Sequence, residues 1–192
     1  MKKLILASTS PFRQQILEKL NIEFDIHAPN VSEERLNNEL PQQLVTRLSE
    51  AKAKALADDY PDALIIGSDQ VAVLEKTILG KPLNHENATQ QLKDASGKKV
   101  TFYTGLCLYN SASGKAQTSC VLFDVYFRSL NDEQIERYLQ IEQPYNCAGS
   151  FKSEGLGISL FEKLDGEDPN ALIGLPLIEL IRMLSQEGIE IP

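Results

Sequence analysis

What this 192-residue chain has little of narrows the chemistry open to it. Its three cysteines, Cys107, Cys120 and Cys147, are too widely spaced for a zinc knuckle or a redox pair, and their odd number argues against a disulfide framework. Its two histidines, His27 and His85, lack metal-ligand spacing, and no Ser-His-Asp order suggests itself. Acid–base work therefore falls to carboxylates and lysines. There is no Walker-type GxxxxGK(S/T) and no GxGxxG after a strand, so the common nucleotide-binding loops are absent. No apolar run approaches membrane-spanning length, and the N-terminus lacks the pattern of a signal peptide. With the cysteine usage, this sets the expectation of a reducing cytoplasm. The net charge of −8 disfavours nonspecific binding to nucleic acid or anionic membrane. It leaves room for a small anionic ligand wherever a few basic side chains converge. No internal repeat or low-complexity segment is found.

What is present reads as alternating strands and helices. "LILASTSPFRQQIL" opens with a short buried strand, then Ser10 as helix N-cap and Pro11 at the first helical position. Ile16, Leu17 and Leu20 form the inward stripe of that helix. "IEFDIHA" alternates as a second strand, and "VSEERLNNELP" is a polar loop. "PQQLVTRLSEAKAKALADDY" predicts an amphipathic helix with Leu44, Leu48, Ala51 and Ala55 on one face. "ALIIGSDQVAVL" predicts a buried strand interrupted by Ser68-Asp69-Gln70. A helix is expected over 85–95, a hairpin from "VTFYTGLCLYN" and "SCVLFDVYFRSL" with "SASG" as its turn, and a helix over 131–142. "CAGSFKSEGLG" is irregular, "ISLFEKL" is a strand, and an apolar helix starts near Pro176 after Gly174. The expectation is a mixed α/β domain over 1–192, with no lobe boundary marked in the sequence.

Arg13 shares a helix face with Leu17 and Leu20. A cation on the buried side needs an anion. The Ser8-Thr9-Ser10 turn and the positive helix start describe a phosphate seat; pairing with an acidic side chain is the equal alternative. Asp69 lies in a buried segment, where an aspartate either caps a turn or does chemistry. Lys52 borders its helix's apolar face, as a snorkelling lysine also would. Lys81 stands in the glycine–proline turn "LGKPL" and Lys152 in "GSFKSEG". Four such cations in an acidic chain point to one convergent site. Glu33 and Glu34 are candidates to join Asp69 around a hard divalent cation, with solvated loop carboxylates as the alternative.

Taken together, "LASTSPFR", "IIGSDQV", "GKPL", "FYTG" and "CAGSFKSEGLG" followed by "DPNALIGLPL" resemble the Maf family of nucleoside triphosphate pyrophosphatases, in order and over essentially the whole chain. The resemblance implies a mixed twisted sheet in two lobes around a central cleft, similar to inosine triphosphatase, and commonly a homodimer. It implies hydrolysis of the α–β phosphoanhydride bond with a divalent metal such as Mg, Mn or Co. It implies Asp69 as proton acceptor and Ser8, Ser10, Arg13, Glu33, Lys52 and Lys81 as polar positions lining the cleft; with Lys152, read from its glycine-rich loop, the serines and cations make the expected phosphate-binding set. Glu33 and Asp69 become the metal ligands.

Three positions divide the family by base preference. The branch acting on thymidine and uridine triphosphates typically has arginine, threonine and glutamine, where this chain has Phe12, Gln70 and Glu154. That set resembles the branch that hydrolyses 7-methyl-GTP. Methylation at N7 makes guanine cationic, and an aromatic face attracts such a ring by roughly 0.5–2 kcal/mol. That branch often carries tryptophan, a stronger cation–π partner than Phe12. Glu154 would accept from guanine N1–H and the amino group, and Gln70 would read a further edge. The alternatives are a dTTP/UTP pyrophosphatase and a nucleotide-binding regulator of septum formation. For Phe12 alone, packing against Ile16 is the structural alternative.

Overall fold

A computed structural model describes residues 2–192. Seven strands and six α-helices follow in the order β1 (Lys3–Ala7), α1 (Pro11–Glu18), β2 (Asp25–His27), α2 (Pro41–Lys54), β3 (Ala63–Leu74), β4 (Thr77–Leu79), α3 (His85–Ala95), β5 (Lys99–Asn110), β6 (Lys115–Phe127), α4 (Asp132–Glu142), β7 (Phe161–Gly166), α5 (Pro169–Ile173) and α6 (Leu177–Gln186). The sheet order is β2-β1-β3-β5-β6-β7, with β4 added to β3. β1 is parallel to both β2 and β3, with Ile5 opposite Asp25 and Ile65. β3–β4 and β6–β7 are antiparallel, so the sheet is mixed, as expected.

The chain divides into two compact units that interleave in sequence. The first comprises residues 1–69, 104–121 and 168–192, and the second 70–103 and 122–167. In the first, strand side chains alternate between two apolar layers. Leu4, Leu6, Leu64, Ile66, Leu106 and Leu108 meet Ile16 and Leu17 of α1 and Leu177, Leu180 and Leu184 of α6. On the opposite face, Ile5, Ala7, Ala63, Ile65 and Cys107 meet Ala53 and Leu56. In the second unit α3 packs on α4, and Phe102, Phe127, Phe151 and Phe161 stack edge-to-face with ring centroids 4.7–5.6 Å apart.

Several boundaries differ from the sequence reading. β3 is unbroken through Ser68-Asp69-Gln70, because the polar side chains there find partners that local sequence does not show. α2 stops at Lys54, and residues 55–59 form turns instead of continuing the helix to Tyr60. Its buried side is Leu44, Val45, Leu48, Ser49, Lys52 and Ala53, so the stripe is rotated away from Ala51 and Ala55. Residues 156–160 form a 3₁₀ turn before β7 starts at Phe161. The short β4 and α5 carry too few residues to show a period in the sequence.

Candidate functional site

The turn before α1 forms as its residue types dictate. Ser8 is buried and its Oγ accepts from Ser10 N at 3.1 Å, while Ser10 Oγ caps the helix by accepting from Arg13 N at 3.4 Å. Phe12 and Arg13 are half-buried on the first turn. Arg13 Nε donates to Gly174 O at 2.8 Å, and Ser68 Oγ lies 2.8 Å from the same carbonyl. Gly174 has a φ of 123°, and a Cβ there would stand 3.4 Å from Arg13 Nε. Asp168 holds this corner: its Oδ1 accepts from Asn170 N and its Oδ2 from Ile178 N, both at 2.8 Å. The "DPNALIGLPL" segment thus aims a carbonyl at the arginine, a task the sequence reading did not assign to Ser68, Asp168 or Gly174.

Asp69 sits on β3 with 7% of its surface exposed. Its Oδ1 lies 2.6 Å from Lys52 Nζ, which lies 2.6 Å from Glu33 Oε1 as well. Lys52 is only 6% exposed, so it does not snorkel; it turns inward and bridges two carboxylates. Burial raises the Asp69 pKa from its ordinary value, against the pull of Lys52 and Arg13, and Glu33 adds to the rise. Burial lowers the Arg13 pKa, which Asp69 and Glu33 oppose. Arg13, Glu33, Lys52 and Asp69 therefore form one electrostatic cluster in the first unit.

Two glycines bring the lysine to the aspartate. A Cβ on Gly67 would stand 2.0 Å from Ser49 O, and one on Gly105 would stand 2.2 Å from Val45 O. α2 thus rests its backbone directly on β3 and β5. At that depth a lysine one turn beyond Leu48 reaches Asp69, two residues past Gly67.

The loop carrying Glu33 is tied to α2. Arg47 makes a bidentate pair with the buried Glu39, Nε–Oε1 at 2.6 Å and Nη2–Oε2 at 2.8 Å. Arg47 Nη2 also donates to Glu34 O at 3.0 Å, and Leu36 N donates to Glu39 Oε2 at 3.0 Å. Its bond to Arg47, more than its bond to Leu36, brings the Glu39 carboxyl down to about 2. Glu39 and Arg47 look in sequence like surface charges of a polar loop and a helix; eight residues apart, they carry no periodic signal. Glu34 contributes a backbone carbonyl, and Glu33, with 61% of its side chain exposed, reaches Lys52.

Gln70, Lys81, Lys152 and Glu154 belong to the second unit. Gln70 follows Asp69 on β3 and points to the other face. Lys81 is exposed in an irregular segment held on both sides: Gly80 O accepts from Gln91 Nε2 at 3.2 Å and Pro82 O from Asn87 Nδ2 at 2.9 Å. The Lys152 ammonium is bonded to Glu142, 3.0 Å from its backbone oxygen and 3.2 Å from Oε1. Its observed partner is a carboxylate of its own unit. Glu154 is exposed, with Ser153 Oγ donating to its Oε2 at 3.3 Å.

The donor set suits a hard cation. Among the described residues no three His, Cys, Asp or Glu side chains gather as a metal cage. Glu33 and Asp69 instead supply two carboxylates around one position already held by an ammonium. Magnesium-like ions commonly bind through one or two carboxylates, completing their shell with water and phosphate oxygens.

This fold is shared by proteins of known structure. A HAM1 protein from Coxiella burnetii aligns over 97% of this chain and all of its own with a TM-score of 0.51 at 10% identity. The Staphylococcus aureus Ham1 protein aligns over 98% of this chain and all of its own, with a TM-score of 0.51 at 9% identity. At such identities only the mixed α/β fold is established. Residues 3–187 match the family described as Maf-like protein, and the chain belongs to that family. It is 59% identical to a 7-methyl-GTP pyrophosphatase of Colwellia psychrerythraea over 100% of this chain and 96% of that protein. It is 57% identical to a 7-methyl-GTP pyrophosphatase of Aliivibrio fischeri over 98% of both chains.

Proposed function

We propose that this chain is a nucleoside triphosphate pyrophosphatase that hydrolyses 7-methyl-GTP to 7-methyl-GMP and pyrophosphate. Its full-length relatives carry that name. The observation that carries the mechanism is the Lys52 ammonium held 2.6 Å from both Asp69 and Glu33, beside Arg13. A buried carboxylate with a raised pKa is the better base near neutrality.

Asp69 accepts a proton from the water that attacks the α-phosphorus. The new bond is P–O from water; the bond that breaks joins the α-phosphorus to the bridging oxygen, and pyrophosphate leaves with the electron pair. Arg13, Lys52, Lys81, Ser8 and Ser10 bind the phosphate oxygens, and the cations among them offset the charge that moves onto the leaving group. Glu33 and Asp69 are the residues that would hold a divalent cation (Mg, Mn or Co), which would supply further charge neutralisation on the phosphates. Phe12 stacks on the methylated base, Gln70 reads one edge, and Glu154 accepts from guanine N1–H and the amino group. The three free cysteines suit a reducing cytoplasm, and among the described residues no helix is long and apolar enough to cross a membrane.

A substrate panel tests the proposal: kcat/KM for 7-methyl-GTP, GTP, dTTP and UTP with each metal, followed by pyrophosphate release. The expected order places 7-methyl-GTP first; dTTP or UTP in first place would overturn the base assignment. Asp69→Asn should lower kcat by roughly 10²–10⁴-fold, the usual contribution of a general base. Unchanged turnover in that variant removes Asp69 from the chemistry.

A further inference from the structure

Glu142, the last residue of α4, does more than end a helix. It is mostly buried, with 17% of its side chain exposed, and three of its oxygens meet one loop. Its backbone oxygen accepts from Lys152 Nζ at 3.0 Å, its Oε1 lies 3.2 Å from the same ammonium, and its Oε2 accepts from Leu156 N at 2.8 Å. Between these anchors lie Ser153, Glu154 and Gly155. A Cβ on Gly155 would stand 2.8 Å from Glu142 Oε2, so the glycine lets the backbone lie flat on the carboxylate. On the Lys152 side the loop is pinned again, because Lys152 N donates to Tyr138 OH at 3.1 Å. A Cβ on Gly157 would stand 2.2 Å from Lys152 O, so the loop also closes on itself. Glu154 itself is exposed, with no strand or helix to hold it. Glu142, itself half-buried, meets the loop on both sides of Glu154, through the Lys152 ammonium and the Leu156 amide.

We propose that Glu142 is a positioning residue for base selection, holding the 152–156 loop so that the Glu154 carboxylate is presented in one place. The inference rests on the reading of Glu154 as the carboxylate that meets the guanine edge. A charged acceptor discriminates only if it is already aimed, because a mobile one loses on ordering what it gains in bonding. Lys152 is, on this account, the other half of the tie.

The test compares kcat/KM for 7-methyl-GTP and GTP in wild type, Glu142→Gln, Glu154→Gln, the double variant and Lys152→Met. Hydrogen exchange at the Leu156 amide serves as a readout independent of activity. Glu142→Gln is expected to lower the methyl selectivity by about threefold to tenfold, the size of coupling seen between neighbouring residues. It should do so through KM, with kcat held, and the Leu156 amide should exchange faster. Added to Glu154→Gln it should change the ratio no further. Lys152→Met should lower the ratio as well, which a lysine acting only on phosphates would not do. If Glu154→Gln lowers the ratio while Glu142→Gln and Lys152→Met leave it at the wild-type value, the positioning role is overturned and the reading of Glu154 stands. If Glu154→Gln itself leaves the ratio unchanged, that reading is overturned and the inference with it.

Discussion

Asp69 and Glu154 are two carboxylates for which we propose roles, and the two units hold them by opposite means. Asp69 stands on a strand, buried, and its oxygen is bonded to an ammonium supplied by a helix. Glu154 stands exposed on a loop, and what is held is its neighbours on either side, the Lys152 ammonium and the Leu156 amide. The difference follows from the two tasks. A base needs a displaced pKa, which requires removal from water and rigid charged neighbours. A residue that meets a base edge needs to be reachable and ionised, and a loop on a firm footing provides that. Desolvation is the working principle in the first unit and tethering in the second.

Breaking the first arrangement should have the larger effect. Lys52→Met leaves Asp69 buried without its ammonium, which typically destabilises by about 3–5 kcal/mol. Urea unfolding should show this loss, and Lys52→Met with Asp69→Asn should be markedly more stable than the two single losses added together. Simple additivity would mean that the pair at 2.6 Å is not coupled. Gly67→Ala is next. Its methyl meets a backbone oxygen at 2.0 Å, so α2 must shift, at a cost of about 1–3 kcal/mol. Because Lys52 rides on that helix, activity should fall more steeply than stability; a fully active Gly67→Ala enzyme would show that helix depth does not set the site.

The smallest effect sharpens the comparison through pH. The folded Asp69 pKa is raised, so the folded chain keeps this proton after the unfolded chain, with an ordinary value near 3.9, has lost it. Stability from this group is therefore present at low pH and is lost as pH rises from about 4 through the folded value. Asp69→Asn should abolish that part of the slope. Activity runs the other way: kcat/KM should fall at low pH as Asp69 takes up its proton. The absence of an acid limb would show that Asp69 is not the base.

How much of this was legible in the sequence depended on distance along the chain. The Ser10 cap, Pro11 and the Ile16–Leu17 stripe could be read because a helix start is decided within a few residues. The break expected at Ser68-Asp69-Gln70 is absent because Ser68 is satisfied by Gly105 and Gly174 and Asp69 by Lys52. Those partners lie 17 to 106 positions away. An apolar-periodicity reading could only misplace the α2 stripe, since the helix buries a serine and a lysine and lays its backbone on two glycines. Family resemblance marked Asp69, Arg13 and Lys52, but it gave no physical reason for Gly67, Glu39 or Glu142. Each of these three acts through a contact invisible to local pattern.

The order in which the chain visits its two units has a further consequence. It passes between them after residues 69, 103, 121 and 167, and no uninterrupted piece of the gene encodes one without part of the other. The half that carries Glu154 is therefore not a cassette that recombination could trade for a relative's version.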